Sequence, residues 1–366
     1  MSRTKRYRAV VALSGAALCL TACMGGGGAP AAVEPDAEIK LSYAFFAPAA
    51  SFPGVQMQEW ARRLGERTDG QVTVDLYPGG TLLSAGDIYD GVSAGVVDIG
   101  LDSPAYDSRR FPLSSVINQP VGIENAQQGS AAFLDLLLEF RPEEFDGYQI
   151  ITAFTTEPAY IQTKSPVRGL SDIAGTAIRS SGAAIPTMEA LGASPLSLSM
   201  SDVAENLQTG VVDGYVSSRE VLRDFSLAEQ VGHVTDYPLG ISNSFVAVMD
   251  QEVFDSLPQH VQDEILGLRE EMTTFASEFH DDENVRGALE WAAAEHGVET
   301  EELEPGVRAE LDRLMEDLTD DWVDDHAGAD FDAAEVLARM RELVDQAATA
   351  ADDEGPAGTE RAGEAP

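Results

Sequence analysis

Two cysteines and five histidines are the residues of this 366-residue chain best suited to nucleophilic, proton-transfer or metal chemistry, and their placement supports none of it. Cys19 and Cys23 both lie in the first 23 residues, so the rest of the chain has no thiol for a disulfide, a thiolate nucleophile or a Cys-held metal. His233, His260, His280, His296 and His326 are scattered without the paired spacing that a metal site needs. There is no Gly-x-Ser-x-Gly elbow, no phosphate loop and no His-Glu-x-x-His helix. The acidic run "DLTDDWVDDHAGADFDAAE" lacks the spaced Asp and central Gly of a calcium loop, and reads as a solvated helix face with a cap. With 63 Asp and Glu in the chain, finding two carboxylates near each other says little about acid–base catalysis. The chain is read as a binder rather than an enzyme, with no cofactor and no metal.

Candidate binding residues emerge once the elements that carry them are placed. "IKLSYAFF" and "QVTVDLY" read as strands, and between them "FPGVQMQEWARRLGERTDG" reads as an amphipathic helix with Val55, Trp60 and Leu64 on its apolar side and Gly70 as its stop. The phrase Gly-Val-Val-Asp occurs twice, at Gly95 to Asp98 and at Gly210 to Asp213, within "GDIYDGVSAGVVD" and "SDVAENLQTGVVD". Both copies place aliphatics four residues apart before the Gly, so each reads as a helix, a left-handed Gly stop and a short apolar strand. Such alternation predicts an α/β chain of two lobes, each turning strand C-terminal ends toward a shared crevice. The alternative is that the repeat records only a common way to build a βα unit. At the strand ends stand Phe45 and Phe46, then Asp102, Ser103 and Tyr106, then Tyr215 and Ser217, with Glu157 between the two series of strands. Aromatics there can pack an apolar ligand body and hydroxyls can orient it, although each could equally serve core or loop packing.

The ends of the chain suggest where it works. "MSRTKRYRAVVALSGAALCLTAC" has four cations, an apolar run too short to span a bilayer and small residues before Cys23, the layout of a secretory signal over 1–22. "LTAC" resembles the bacterial lipoprotein box, which implies lipidation at Cys23 and an extracytoplasmic protein anchored to the cell membrane. Residues 23–38, rich in Gly, Ala and Pro, read as a flexible tether, and 350–366 as a disordered acidic tail. The formal charge of −40, with only three lysines, excludes nucleic acid as a partner and suits a saline medium.

Several longer segments in order carry a family resemblance. "EWARRLGERTDGQVTVDLYPGGTL", "GLSDIAGTAIRSSG", "ALGASPLSLSMSDVAENLQTGVVDG" and "VAVMDQEVFDSLPQHVQDEI" resemble the DctP-type solute-binding proteins of tripartite ATP-independent periplasmic (TRAP) transporters, over about Ile39 to Leu343. The resemblance implies a periplasmic-binding-protein-like fold with hinge strands and a helical C-terminal region. Lobe I is then expected over 39–155, lobe II over 156–242, and a hinge strand with helices returning to lobe I over 243–349. It also implies a cleft ligand, usually an organic acid, passed to TRAP membrane subunits, and it points to Arg179 in "AIRSS" as the ligand-carboxylate arginine. A guanidinium offers paired donors matched to a carboxylate, so the chemistry agrees. The chain departs from the family at "EPAYIQ", which lacks a second basic residue, and at "DGYVSSRE", where Ser217 stands in place of an Asn. These departures point to a monocarboxylate with an apolar or aromatic part. The rival readings are a binding protein for an ATP-driven importer or a sensor, and an enzyme on a binding-protein fold.

Overall fold

The strand-like runs pair into two separate sheets. The computed structural model describes residues 34–354, so the signal segment, Cys23 and most of the tether and tail fall outside the described residues. The strands are β1 (Ile39–Phe45), β2 (Val72–Tyr77), β3 (Ile99–Asp102), β4 (Tyr148–Thr155), β5 (Tyr160–Thr163), β6 (Ala177–Ser180), β7 (Ser194–Ser197), β8 (Gly214–Ser217), β9 (His233–Thr235), β10 (Ser244–Asp250) and β11 (Glu299–Glu301). The first sheet runs β2-β1-β3-β10-β4 and the second β11-β9-β5-β8-β6-β7.

The repeated phrase occupies matching places in the two sheets. β3 lies parallel to β1 on one side and antiparallel to β10 on the other. β8 likewise lies parallel to β6 and antiparallel to β5. Gly95 and Gly210 take left-handed φ values of 67° and 73°, which end the preceding helices Ile88–Ser93 and Val203–Thr209 without the Cβ clash another residue would suffer. The strands β5 and β10, antiparallel to their neighbours, are the ones entered directly from the other lobe. The chain therefore crosses between the sheets at 156–159 and again at 236–243.

Helices cover both faces of the first sheet. The helix Phe52–Arg67 opens on a proline and turns Met57, Trp60 and Leu64 inward, where Trp60 meets Tyr43 edge-on at 5.6 Å. Val55, expected on that face, is half-buried, and Met57 takes the core position instead. Full burial of each such side chain stabilises the lobe by about 1.5–3 kcal/mol.

The C-terminal region departs from the expected simple return to lobe I. The helix Gln259–Phe279 packs on the first sheet through Val261, Ile265, Leu268 and Met272, but β11 then pairs with β9 of the second sheet. The helix Pro305–Asp325 places Leu311, Met315 and Leu318 in the lobe II core and Trp322 in that of lobe I. Ala333–Glu354 finishes on lobe I through Val336, Met340 and Leu343 and extends the helical region past 350, where the sequence reading began its tail. β11 is the polar tripeptide Glu-Thr-Glu, which hydropathy does not mark as a strand.

Candidate ligand-binding cleft

Arg179 is the third residue of β6, flanked in register by Leu196 of β7 and Tyr215 of β8, and its side chain is wholly buried. Its Nε donates to the Leu198 carbonyl at 2.8 Å, and one terminal nitrogen reaches the Val216 carbonyl at 3.5 Å. The other terminal nitrogen has no partner among the described residues. Burial pulls the Arg179 pKa down, and nearby Tyr106, Asp202 and Tyr215 push it back up. A guanidinium stays charged under such a shift, so this is a buried cation with an unused donor, the arrangement that favours an incoming anion.

Lobe I meets this region closely. Tyr106, in the turn after β3, accepts a hydrogen bond at its hydroxyl from the Met200 N–H of lobe II at 3.4 Å. A Cβ on Gly182 would lie 3.0 Å from the Tyr106 carbonyl oxygen, so glycine permits the approach of the two backbones. Between the lobes a cavity of about 20 Å³ is lined by Phe45, Phe46, Phe52, Tyr106 and Phe245 from lobe I. Met200, Glu220, Val221, Asp224 and Phe225 face them from lobe II, with Thr156 and Asn243 at the two crossings. That volume holds about one water, so the lobes must part to admit an organic ligand. The aromatic wall is continuous: Phe46 lies 4.7 Å from Phe45 and 5.5 Å from Tyr106, ring centre to ring centre.

The sequence-selected residues divide into two groups. Phe45, Phe46 and Tyr106 line the cavity. Asp102 instead receives the amides of Gly86 and Ser103 at 2.9 and 2.8 Å, and burial pushes its pKa up to about 7, so its carboxylate is committed inside lobe I. Tyr215 donates to Gln162 at 2.9 Å within the lobe II core, rather than facing a ligand. Glu157 holds Arg219 through two charged hydrogen bonds of 2.9 and 2.6 Å at the first crossing, a hinge contact in place of the expected ligand contact. Ser217 and Ser103 are buried without lining the cavity; Ser217 Oγ meets the Asn243 amide at 3.5 Å, and Ser103 Oγ has no partner among the described residues. Arg110, in the loop after β3, pairs with Asp90 at 2.8 Å.

Sequence reasoning missed Glu220, Asp224, Asn243 and Phe245. Asn243 immediately precedes β10 and Phe245 is its second residue, and the N-terminal end of this antiparallel strand lies beside the C-terminal ends of its neighbours, so a rule that looks only past strand ends overlooks them. A metal-like group, His233 with Glu299 and Glu301, lies at the β9–β11 edge, but Arg168 already holds the Glu301 carboxylate at 2.7 Å and competes with any cation there. No helix among the described residues is long and apolar enough to cross a membrane.

The model of the DctP family, bacterial extracellular solute-binding proteins of family 7, matches residues 44–325. The chain belongs to this family. Among solved structures, a TRAP periplasmic solute-binding protein from Desulfovibrio salexigens, an open complex with the C-terminus of a symmetry mate in its ligand-binding site, is 37% identical with a TM-score of 0.75, covering 85% of this chain and 97% of that one. A TRAP solute-binding protein from Rhodoferax ferrireducens in complex with copurified benzoate is 21% identical with a TM-score of 0.80, covering 86% and 99%, and shares the DctP fold. The ectoine/5-hydroxyectoine-binding periplasmic protein UehA of Ruegeria pomeroyi is 26% identical over 59% of this chain. The chain spans 55% and 65% of the length of the first two curated relatives it matches.

Proposed function

We propose that this DctP-family chain is the extracytoplasmic receptor of a TRAP transporter, capturing a small organic monocarboxylate with an apolar or aromatic part. The observation that carries the reading is the unpaired terminal nitrogen of the buried Arg179, whose neighbour Tyr106 lines an aromatic-walled cavity between two lobes. The carboxylate docks on Arg179 while the lobes are apart, and closure packs the remainder against Phe46, Tyr106 and Phe245. A ligand that touches both lobes stabilises the closed population by its differential affinity, and the crossings at 156–159 and 236–243 act as hinges. The closed form is then handed to the TRAP membrane subunits. The "LTAC" sequence supports a lipid anchor at Cys23 that keeps the receptor near them. The D. salexigens and R. ferrireducens proteins, both named as TRAP solute-binding proteins, support the transporter assignment, and the benzoate of the second supports an acid ligand.

Mass spectrometry of the solute retained through purification, followed by calorimetry with that solute, tests the reading. A carboxylate that rebinds one per chain is expected; a retained sugar or peptide without a carboxylate would overturn it.

A further inference from the structure

A buried carboxyl group, that of Glu220, lines the cavity, and no cation of the protein among the described residues pairs with it. Glu220 is 3% exposed, and its Oε1 accepts from the Ser218 hydroxyl at 2.8 Å, while Oε2 has no partner among the described residues. The adjacent Arg219 is held by Glu157 on two nitrogens. His280 brings Nε2 to 3.9 Å of Glu220, but that nitrogen accepts the Glu157 N–H at 2.9 Å and so presents a lone pair, not a proton. Burial holds the His280 pKa down at about 3, which keeps the ring neutral. Arg223 faces Asp224 at 3.9 Å and the Asn284 side-chain oxygen at 3.4 Å. Asp224 adds a second carboxylate to the cavity wall, and Phe46, Phe52 and Phe225 complete it with ring surface. Two carboxyl groups framed by aromatic rings form an environment in which an arriving cation supplies the partner that their ionised forms lack.

Resting on the receptor reading above, we propose that the ligand is amphoteric, a compact solute whose carboxylate meets Arg179 and whose N–H-bearing cationic group meets Glu220. Glu220 is then the specificity residue that separates such zwitterions from plain aromatic acids and from dicarboxylates. Burial and the neighbouring Asp224 and Glu157 hold the Glu220 pKa well above its ordinary value. A cation arriving there favours the ionised form and pulls that pKa back down.

Calorimetry of the mature chain with ectoine, pyroglutamate, benzoate and succinate tests this, since these probes carry respectively an amidinium, a neutral N–H, no N–H and a second carboxylate. Ectoine is expected to bind best. Glu220→Gln, which keeps the shape and the Ser218 hydrogen bond, should weaken ectoine about tenfold or more and narrow its preference over benzoate. Glu220→Asp should restore part of the ectoine affinity. Benzoate or succinate binding more tightly than ectoine would overturn the proposal while leaving the acid-receptor reading intact. So would unchanged ectoine affinity in Glu220→Gln. If none of the four binds while a retained carboxylate rebinds, the amphoteric-ligand proposal fails and the acid-receptor reading stands; if no carboxylate rebinds, both fail.

Discussion

The two lobes share a strand plan and differ in what they bring to the cleft. In lobe I the ends of β1 and β3 and the start of β10 present Phe45, Phe46, Tyr106 and Phe245; in lobe II the region around β6 and β8 supplies Arg179, Glu220 and Asp224. Matching topology thus fixes where residues stand, and residue type at those places decides what each half can do. The charged lobe can hold the ligand by directional contacts before closure, whereas the aromatic lobe contributes only when it arrives. Affinity then has an electrostatic part set by lobe II alone and a packing part that requires the closed form.

This division can be broken at either lobe or at the hinge between them. The largest effect is expected from Arg179→Met, which removes one partner of a buried charge pair and should weaken carboxylate binding by about 2–5 kcal/mol, read by calorimetry. Full burial of Arg179 means that the variant also loses the hydrogen bond to Leu198, so its melting temperature should be recorded beside the affinity. The hinge comes next. Glu157→Gln leaves Arg219, stacked 4.0 Å above the Tyr160 ring, without its carboxylate, and should lower unfolding free energy by about 3 kcal/mol in denaturant titrations while changing ligand affinity little. Phe46→Ala on the aromatic side should weaken binding by about 1–2 kcal/mol through slower closure or faster release, a smaller loss than at Arg179. An equal or larger loss would mean that packing, not charge, anchors the ligand.

The smallest effect concerns pH. Asp102 is raised to about 7, and Asp224 and Asp281 to about 6, in each case chiefly by burial. Their folded forms therefore bind more protons than the unfolded chain between about pH 4 and 7, and the linkage slope is negative. This contribution is fully present below the unfolded carboxylate range and is lost as pH rises through the folded values. His280, lowered to about 3, acts oppositely, its contribution falling away as pH drops below about 6.5. Thermal melting at constant ionic strength should be a few degrees higher at about pH 6 than at about pH 8; a rise toward pH 8 would show that these acids are better solvated than their burial implies.

Much of this plan is legible in the sequence, because it depends on repetition and periodicity. The two Gly-Val-Val-Asp phrases mark two lobes, and the paired left-handed glycines confirm that both copies do the same local work. Direction is harder to read. Asp102 and Tyr215 stand near strand ends as expected, yet the first turns to the amides of Gly86 and Ser103 and the second to Gln162, because alternation along a strand sends successive side chains to opposite faces. Glu220 escapes for another reason: in a chain with 63 acidic residues, nothing local distinguishes a carboxylate whose neighbouring cation is already taken. That distinction comes from the Glu157–Arg219 pair, a contact between residues 62 positions apart.

The central claim is that two arginines of lobe II, Arg179 buried and Arg219 half-buried, have different tasks: Arg219 holds Glu157, and Arg179 holds the ligand. A crystal structure of the protein with the acid it retains through purification tests this most directly. The account predicts a ligand carboxylate oxygen within about 3 Å of the Arg179 terminal nitrogen that now lacks a partner, with the Glu157–Arg219 pair unbroken. A ligand carboxylate seated on Arg219, or one that leaves Arg179 without an anion, would contradict it.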